Sequence, residues 1–584
     1  MVTNKYITKI ISALMALAVI LCLATSAFSQ QLQAVYGNNA VTMEYETELF
    51  DTDQVMDIDI LMDEDDWNDM LENAISEEYY SCDVVVNGKK FYSVGIRPKG
   101  NTSLSSIASA PDTDRYSFKL EFDHYIEGQT CYGLDKLILN NNYADATNMK
   151  EAVVYDMYQC LDVDASLYNY AKICVNGDYW GVYLALEAVE DSFMLRNYGT
   201  EDGNLYKPES MGVGGGDGEE GKDGGSFQGG APQMGNPPEN IQMPQGENDK
   251  MPDEFQFFQN GEQSEDIDFS DFKMGAIGGS GGADLNYTDD DLDSYSTIWD
   301  GEVTSSGKKD HKRVVEALKN ISEGTDLETY MDVDNILKYM AVHTFVVNDD
   351  SLSGTMAHNY YLYEYNGKLN ILPWDYNLSF GGMSMGGGMG GQSSGATSVI
   401  NDAIDTPFSI TNFFDALLEN EEYLAKYHEY LNELVEKYIN GGEFQKTYER
   451  IRSQINELVA EDPTAFYSYE EYEAAVEMLC EVINLRGESV SGQLDGTIPS
   501  TDDGQKADSS TLIDGSGIEL SVMGSMSMGG GAGEGIGAPG GRGDGWQMRT
   551  PGGSVDEQQT GASGKEAGNS DGNEALQKTE SGGV

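Results

Sequence analysis

The chain contains 584 residues, of which 34 are Lys or Arg and 100 are Asp or Glu, so its formal net charge is −66. This charge excludes a nucleic-acid backbone or an anionic membrane surface as the main partner, because both would repel the chain. The length is sufficient for a large core, and the 68 glycines cluster into low-complexity segments beside it.

The N-terminal residues have the pattern of a secretory signal. Lys5 and Lys9 precede an apolar run, and the AFS sequence at 27–29 provides a small-x-small cleavage site. We therefore assign residues 1–29 to a signal peptide, with a retained anchor as the alternative, and expect a secreted or cell-surface protein. No later stretch is long and apolar enough to span a membrane, so we expect no stable membrane insertion after cleavage.

Residues 30–207 follow the pattern of an α+β domain. Alternating apolar and acidic residues predict a strand over Val55–Leu61, and acids at the start of a helical pattern predict a helix over Asp63–Ala74. Asn-Gly at 87–88 and at 176–177 predicts two β-hairpins, because both residues accept the positive φ of a type I′ turn.

Several charged side chains in this domain are candidates for binding a nucleotide. Arg97 and Lys99 occur with Gly, Asn, Thr and Ser after a strand, where they can cradle phosphate oxygens; a polar turn is the alternative. Lys119 lies on a short strand that would fix the backbone end of its side chain. The alternative is an ordinary Lys on the exposed face of a strand, which would give the same sequence pattern. Glu151, early in a helix predicted over Ala146–Leu161, is its candidate partner, because a strand Lys and a helix Glu pair in protein kinases. The alternative is a Glu favoured by the helix dipole.

The composition divides the rest of the chain into three parts. Residues 208–282 are rich in Gly, Pro, Gln, Met and acids, which predicts a disordered insertion. Residues 283–490 return to helical patterns, including one predicted helix over Asp326–Val347. Residues 491–584 are again rich in Gly and Ser and are predicted to be a disordered tail.

The most informative stretch lies at 345–382 and contains acids, an amide, a hairpin and a further acid in that order. Asp349 and Asp350 end an apolar run, and Asn359 directly precedes a strand pattern. Asn-Gly at 366–367 predicts a hairpin turn, and Asp375 follows this hairpin. A phosphotransferase of the protein-kinase type needs this order, with one Asp for the acceptor hydroxyl and an Asn and a second Asp for Mg²⁺. The alternative is a surface hairpin flanked by solvated acids.

These segments together resemble the spore-coat protein H (CotH) kinase family of atypical secreted kinases. The resemblance covers roughly residues 50–490 apart from the insertion. It rests on GIRPKGNTSL at 95–104, SFKLEFD at 117–123, GLDKLILNNNYAD at 133–145, VNGDYWGVYLALE at 175–187, NLYK at 204–207, HNYYLY at 358–363 and LPWDYNLSFGG at 372–382.

The resemblance implies a distant protein-kinase-like fold with two lobes, and phosphorylation of protein Ser or Thr with ATP and Mg²⁺ or Mn²⁺. By position, Asp350 is implied as the catalytic acid or base, with Asp349 as the close alternative. Asn359 and Asp375 are implied as the metal ligands. The residues implied to bind the nucleotide are Arg97, Lys99, Lys119, Glu151 and Glu187, the last at the position of the hinge that meets the adenine.

The acidic composition predicts a basic, Ser-rich protein as the substrate, on the ground of charge alone. Two other classes of function stay open. One is a non-catalytic protein of cell-surface or coat assembly or adhesion, and the other is phosphoryl transfer to a sugar or another small molecule. An enzyme requires Asp350 and Asp375 to converge on one site, whereas an adhesion protein does not.

Overall fold

The computed structural model describes residues 40–209, 281–354, 357–385, 395–408 and 410–528. The assigned signal peptide at 1–29, residues 210–280 of the predicted insertion and the predicted tail beyond 528 lie outside the described residues. Among the helices in the described ranges, none combines the length and the apolar character that a membrane crossing requires.

Seven strands close into a barrel in the order β1-β2-β3-β4-β5-β7-β6. They are β1 Met56–Leu61, β2 Tyr80–Val86, β3 Lys89–Lys99, β4 Ser117–Glu121, β5 Lys136–Asn140, β6 Tyr168–Val175 and β7 Asp178–Glu187. Neighbouring strands are antiparallel except β1 and β6, whose parallel pairing closes the barrel. Both predicted Asn-Gly hairpins are confirmed, since Asn87 and Gly88 have φ values of 48° and 81° and Asn176 and Gly177 of 52° and 87°.

Five helices accompany the barrel. They are α1 Tyr45–Glu48, α2 Glu64–Glu72, α3 Thr102–Ser109, α4 Lys150–Cys160 and α5 Asp191–Tyr198. Helix α4 begins later than the predicted Ala146, because the Asp145 carboxylate accepts hydrogen bonds from the backbone N–H groups of Thr147 and Lys150. These bonds form a turn that satisfies the first free N–H groups and delays the helix.

A second sheet joins the two halves of the domain, in the order β10-β9-β8. Its strands are β8 Asn204–Tyr206, β9 Tyr360–Tyr365 and β10 Lys368–Pro373. The predicted hairpin turn at Asn366 and Gly367, between β9 and β10, is confirmed by φ values of 55° and 86°. Because β8 precedes the predicted insertion and β9 follows it, the halves are held in one sheet.

Most other elements of the second half are helices. They are α6 Ser296–Asp300, α7 Lys308–Ser322, α8 Leu327–Tyr330, α9 Val333–Val346, α10 Ala396–Ile400, α11 Asp415–Leu418, α12 Glu421–Glu433, α13 Glu443–Glu461, α14 Tyr469–Asp495 and α15 Asp502–Ala507. A π-helical turn over Leu434–Asn440 continues α12. The single helix predicted over Asp326–Val347 is divided into α8 and α9, because Met331 is extended and bridges to Leu369 of β10.

The mixed helix and sheet content confirms the α+β prediction, although closure of the first seven strands into a barrel was not predicted. One apolar core fills the barrel, and a larger one combines α4, α7, α9, α12, α13 and α14 with β9 and β10. The likeness to the two lobes of a protein kinase stays a prediction.

The predicted boundary of the tail at 491 is wrong. Helix α14 continues to Asp495 and ends at Gly496, whose φ is +78°. The following segment packs back onto the domain, because Ile498 and Met523 are 5% and 1% exposed. It ends in β12 Met526–Met528, which pairs in parallel with β11 Met383–Met385. A few buried apolar side chains within a polar composition are therefore sufficient to dock this segment.

Candidate active site

A cleft of about 1480 Å³, including space open to solvent, lies where the barrel meets the segments around the second sheet. Seven of the nine predicted site residues line it, and two do not. The seven are Arg97, Lys99, Lys119, Glu151, Asp350, Asn359 and Asp375.

Strands β3 and β4 place three cations along one wall of the cleft. Arg97 lies directly opposite Lys119 in the antiparallel pair of β3 and β4, so the two side chains share one face of the sheet. The Arg97 guanidinium forms an ion pair with Glu77. Lys99, two residues along β3, donates through Nζ to Asn140 Oδ1 at 3.2 Å. The cationic groups on this wall are therefore held in position by hydrogen-bond and ion-pair partners.

The predicted pairing of Lys119 with Glu151 is corrected by the structure. Lys119 Nζ lies 2.7 Å from Oε1 of Glu190, a carboxylate that also pairs with Lys136. Burial alone would raise the pKa of Glu190, but the two ammonium groups lower it below its ordinary value. Glu151 instead accepts from Asn140 Nδ2 at 2.9 Å. The order of the elements could not distinguish a Glu on the next helix from one after β7, which borders β5 in the barrel.

Glu151 and Asp375 form a pair of buried carboxyl groups. Burial, and then the negative charge of Asp375, raise the pKa of Glu151 above its ordinary value. Burial likewise raises the pKa of Asp375, although the nearby Lys99 opposes the shift. Oε1 of Glu151 is buried and has no hydrogen-bond partner. This arrangement would be relieved by a cation, because a positive charge would favour the ionised form of both groups.

The loop after α9 presents Asp350 together with two residues that begin the next segment. His358 Nε2 lies 2.6 Å from Asp350 Oδ1, and Asn359 Nδ2 donates to Asp350 Oδ2 at 3.1 Å and to its backbone carbonyl at 2.6 Å. Burial alone would lower the pKa of His358, but its bond to Asp350 raises it. The Asp350 carboxylate is therefore held at both oxygens by neighbouring side chains.

His358 is a residue of the cleft that the sequence analysis did not identify. Its only signal was the position directly before Asn359, because a lone His among five in the chain has no ligand spacing. The contact with Asp350 depends on how the loop folds back, since Ala357 and Asn359, on either side of it, have positive φ values of 49° and 58°.

The structure separates the two adjacent acids of the loop. Asp350 lines the cleft, whereas the neighbouring Asp349 is exposed and does not line it. Of the two alternatives for the acid or base, the structure therefore brings only Asp350 to the remaining predicted residues.

Glu187 lies outside the cleft, which corrects the expectation that it contacts a nucleotide. Its carboxylate is 0% exposed and accepts from Arg196 Nη2 at 2.6 Å, from Tyr45 Oη at 2.6 Å and from the backbone N–H of Leu167 at 3.1 Å. A buried carboxylate with this many donors holds α1 and α5 against the barrel.

A buried hydrogen-bond network lies behind the acids and centres on His343 of α9. Its Nδ1 is 3.0 Å from Tyr376 Oη, and its Nε2 is 2.8 Å from Ser353 Oγ and 3.1 Å from Ser351 Oγ. Tyr376 directly follows Asp375, and Ser351 directly follows Asp350. Burial lowers the pKa of His343 to about 3, so the ring is neutral and its two nitrogens connect the two acidic segments.

The donor set of the cleft fits Mg²⁺ only in combination with ligands from a substrate. No group of three or more His, Cys, Asp or Glu side chains in the described part of the chain is arranged to hold a metal ion. Mg²⁺, however, commonly binds one or two carboxylates and takes its other oxygens from phosphates and water. Asp375, Glu151 with its unpartnered oxygen, and the amide oxygen of Asn359 are hard donors of this type.

Comparison with models of known protein families gives a match over most of the domain. A family model described as CotH kinase protein matches residues 96–490, which is more than half of the chain. No curated protein matches the chain at a significant level. The matched range contains the seven cleft residues described above and ends before β12.

Proposed function

The chain belongs to the CotH kinase protein family, and from this premise we propose that it transfers the γ-phosphate of ATP to Ser or Thr side chains of a protein. The family suggests a kinase-like phosphotransferase role, while ATP, Mg²⁺ or Mn²⁺ and the protein acceptor belong to the proposal. The observation that carries the proposal is the cleft itself, in which Lys99 and Lys119 face the same space as Asp350 and Asp375.

In the proposed complex, the cations bind the phosphates of the nucleotide and the buried carboxyl groups bind its metal ion. Lys99 and Lys119 would contact phosphate oxygens, and this is supported by their amide and carboxylate partners, which restrict where the ammonium groups can lie. Glu151 and Asp375, with the amide oxygen of Asn359, would hold the metal. A bound metal ion would neutralise charge on the phosphates and fix their orientation. In this proposal the barrel is one lobe of a kinase-like fold and the helical half is the other.

Asp350 is the proposed group for the acceptor hydroxyl. Its carboxylate is bonded to His358 and Asn359, and these two bonds fix its orientation. Phosphoryl transfer proceeds through a loose transition state that needs positioning more than proton removal. We therefore assign Asp350 to orienting the hydroxyl and accepting its proton late, and His358 to holding the carboxylate and adding positive charge nearby.

The acceptor and the location follow from charge and from the N-terminal sequence. A net charge of −66 would attract a basic protein, so a Ser-rich substrate with many Lys or Arg residues is the proposed partner. Export by the N-terminal segment, to the medium or the cell surface, is supported by its sequence pattern alone.

The test uses the purified chain without the predicted signal, radiolabelled ATP, Mg²⁺ or Mn²⁺, and a basic Ser-rich protein. Asp375→Asn and Asp350→Asn are expected to lower transfer by about 10²–10³-fold, because each removes a charge aimed at the reacting groups. Asp349→Asn is the matched control, since this adjacent acid does not line the cleft.

Three results would redirect the proposal. Transfer that survives Asp375→Asn would contradict the assignment of the metal site. Label on a sugar but not on a protein would support a small-molecule phosphotransferase. If ATP does not bind with either metal, the enzyme proposal is refuted in favour of a surface or coat assembly protein.

A further inference from the structure

The C-terminal strand β12 forms part of the wall of the cleft. It pairs in parallel with β11, which begins eight residues after Asp375, and the register places Met383 opposite Met526. The backbone N–H of Met526 donates to Gly382 O at 2.9 Å. Met383 and Met526 line the same cleft as Asp350 and Asp375. An element beyond the family match therefore borders the proposed site of transfer.

The segment before β12 is anchored at Gly524. The carbonyl of Gly524 accepts from Nζ of Lys150, a fully buried side chain next to Glu151 in sequence, at 3.1 Å. Gly524 has a φ of +81°, and a Cβ at this position would lie 2.6 Å from the carbonyl oxygen of Ala144. Only glycine combines this backbone angle with this approach. The close contact defines a single position at which the strand can be released by substitution.

The two paired strands have the same sequence. MSMGGG occurs at 383–388 and again at 526–531, and the parallel register aligns the two MSM triplets residue by residue. Each strand has only three residues, and two-stranded pairs of this size are marginally stable in water. The strand that pairs with β11 can therefore be exchanged for another extended segment at low cost.

We propose that β12 lies where the acceptor segment of a protein substrate lies during transfer, so that substrates pair with β11 and the C-terminal strand competes with them. This inference rests on the proposed kinase function and adds the kind of acceptor. The acceptor is an extended segment with small residues around its Ser, bound through backbone hydrogen bonds. Strand addition of this type derives its affinity from main-chain bonds and its selectivity from a few side-chain contacts.

The test compares Gly524→Val with Gly517→Val in the complete chain without the predicted signal. Valine at 524 meets the carbonyl of Ala144 and a positive φ, whereas a Cβ at Gly517 meets nothing within 4 Å. Initial rates are measured against the acceptor protein and against ATP. We expect Gly524→Val to lower KM for the acceptor at least fivefold, with KM for ATP unchanged, and Gly517→Val to behave as wild type.

A peptide provides the second arm. A synthetic peptide of residues 524–531, with Ser525 and Ser527 replaced by alanine so that it accepts no phosphate, is expected to inhibit competitively with the acceptor protein. Inhibition should be stronger in Gly524→Val than in wild type. The wild-type measurement tests the proposal even if the variant fails to fold.

The outcomes separate this inference from the proposed function. Transfer by the wild-type chain, with unchanged or raised acceptor KM in Gly524→Val, or with a peptide that does not compete with the acceptor, refutes the inference alone. A change in KM for ATP would show that β12 is a wall of the nucleotide site instead. Absence of transfer by the wild-type chain refutes both.

Discussion

Replacing His343 by alanine tests whether the buried network positions the two acids of the cleft. The imidazole bonds to Tyr376, Ser351 and Ser353, and its ring packs against Phe408 with centroids 5.5 Å apart. The change removes these contacts without touching Asp350 or Asp375 directly, and burial keeps the His343 ring neutral in the wild type.

The cost can be derived from what the partners retain. Tyr376 keeps its bond to Tyr158 at 2.5 Å, and Ser351 and Ser353 keep theirs to the carbonyl of Asn348 at 2.6 and 3.1 Å. These three partners therefore each keep a hydrogen bond, and the Tyr339 hydroxyl loses only a long contact of 3.5 Å to Nδ1 of the ring. The two serines share the single nitrogen Nε2, so the ring loses about one hydrogen bond at each of its two nitrogens. Each contributes about 1 kcal/mol, and the lost burial of the ring adds about 1 kcal/mol, so the free energy of unfolding should fall by about 3 kcal/mol.

His343→Ala should lower activity more than a substitution of a core residue far from the cleft would. The network joins the residues that follow Asp350 and Asp375, and a displacement of about 1 Å at reacting groups costs about 100-fold in rate. We expect kcat to fall by about this factor with KM for the acceptor little changed. The assays are urea denaturation and steady-state transfer. His428→Ala is the matched control, since this His is one-third exposed and bonds to Asp405 far along the chain from both acids.

Two results would refute this reasoning. A normal kcat in a destabilised His343→Ala protein would show that the network supports the core but does not position the acids. An unchanged free energy of unfolding would show that the bonds to Tyr376 and Ser353 contribute nothing.

Two further predictions concern buried charges. Arg115→Met should lower the free energy of unfolding by about 3–5 kcal/mol, because it leaves the carboxylate of Asp462, which is 1% exposed and bonded to Arg115 at 2.9 Å, without its counter-charge. The double variant Arg115→Met with Asp462→Leu should lose less stability than Arg115→Met alone, because no buried charge is left unpaired. A double variant that loses as much stability as the two single variants added together would contradict this. Glu151→Gln should become progressively more stable than wild type, measured by urea denaturation without metal, as pH rises from about 5 to about 8. The raised pKa makes the folded wild type retain a proton that the unfolded chain has lost, so wild-type stability falls across this range, and a pH-independent difference would contradict it.

Local elements were predictable from the sequence where the chemistry is local. Asn-Gly pairs identified the hairpins, and the helix over Asp63–Ala74 is present as α2, with Asp63 accepting from the backbone N–H of Asp65 as its cap. The barrel was not predictable, because its closure depends on the pairing of Met56 with Ala171, more than a hundred residues apart, which leaves no periodic signal. The prediction of the tail boundary was wrong because composition does not show which few apolar side chains of a polar segment pack onto the core.

The candidate site was predictable in part for the same reason. Asp350, Asn359 and Asp375 are joined by one hairpin, so their order already implied proximity. The contacts of Lys119 and of His358 depend on barrel register and on a folded-back loop, and neither can be obtained from spacing.

The parallel pairing of β1 with β6 also determines which fragments of this chain can remain soluble. Strands β1 and β2 precede residue 96, where the family match begins. A fragment trimmed to the matched range would lack β1, so the edge of β6 that pairs with β1 would expose a row of unpaired backbone N–H and C=O groups. Such an edge recruits strands from other molecules, so the trimmed fragment would tend to aggregate. The residues that protect the family core from self-association therefore lie outside the region by which the family is identified.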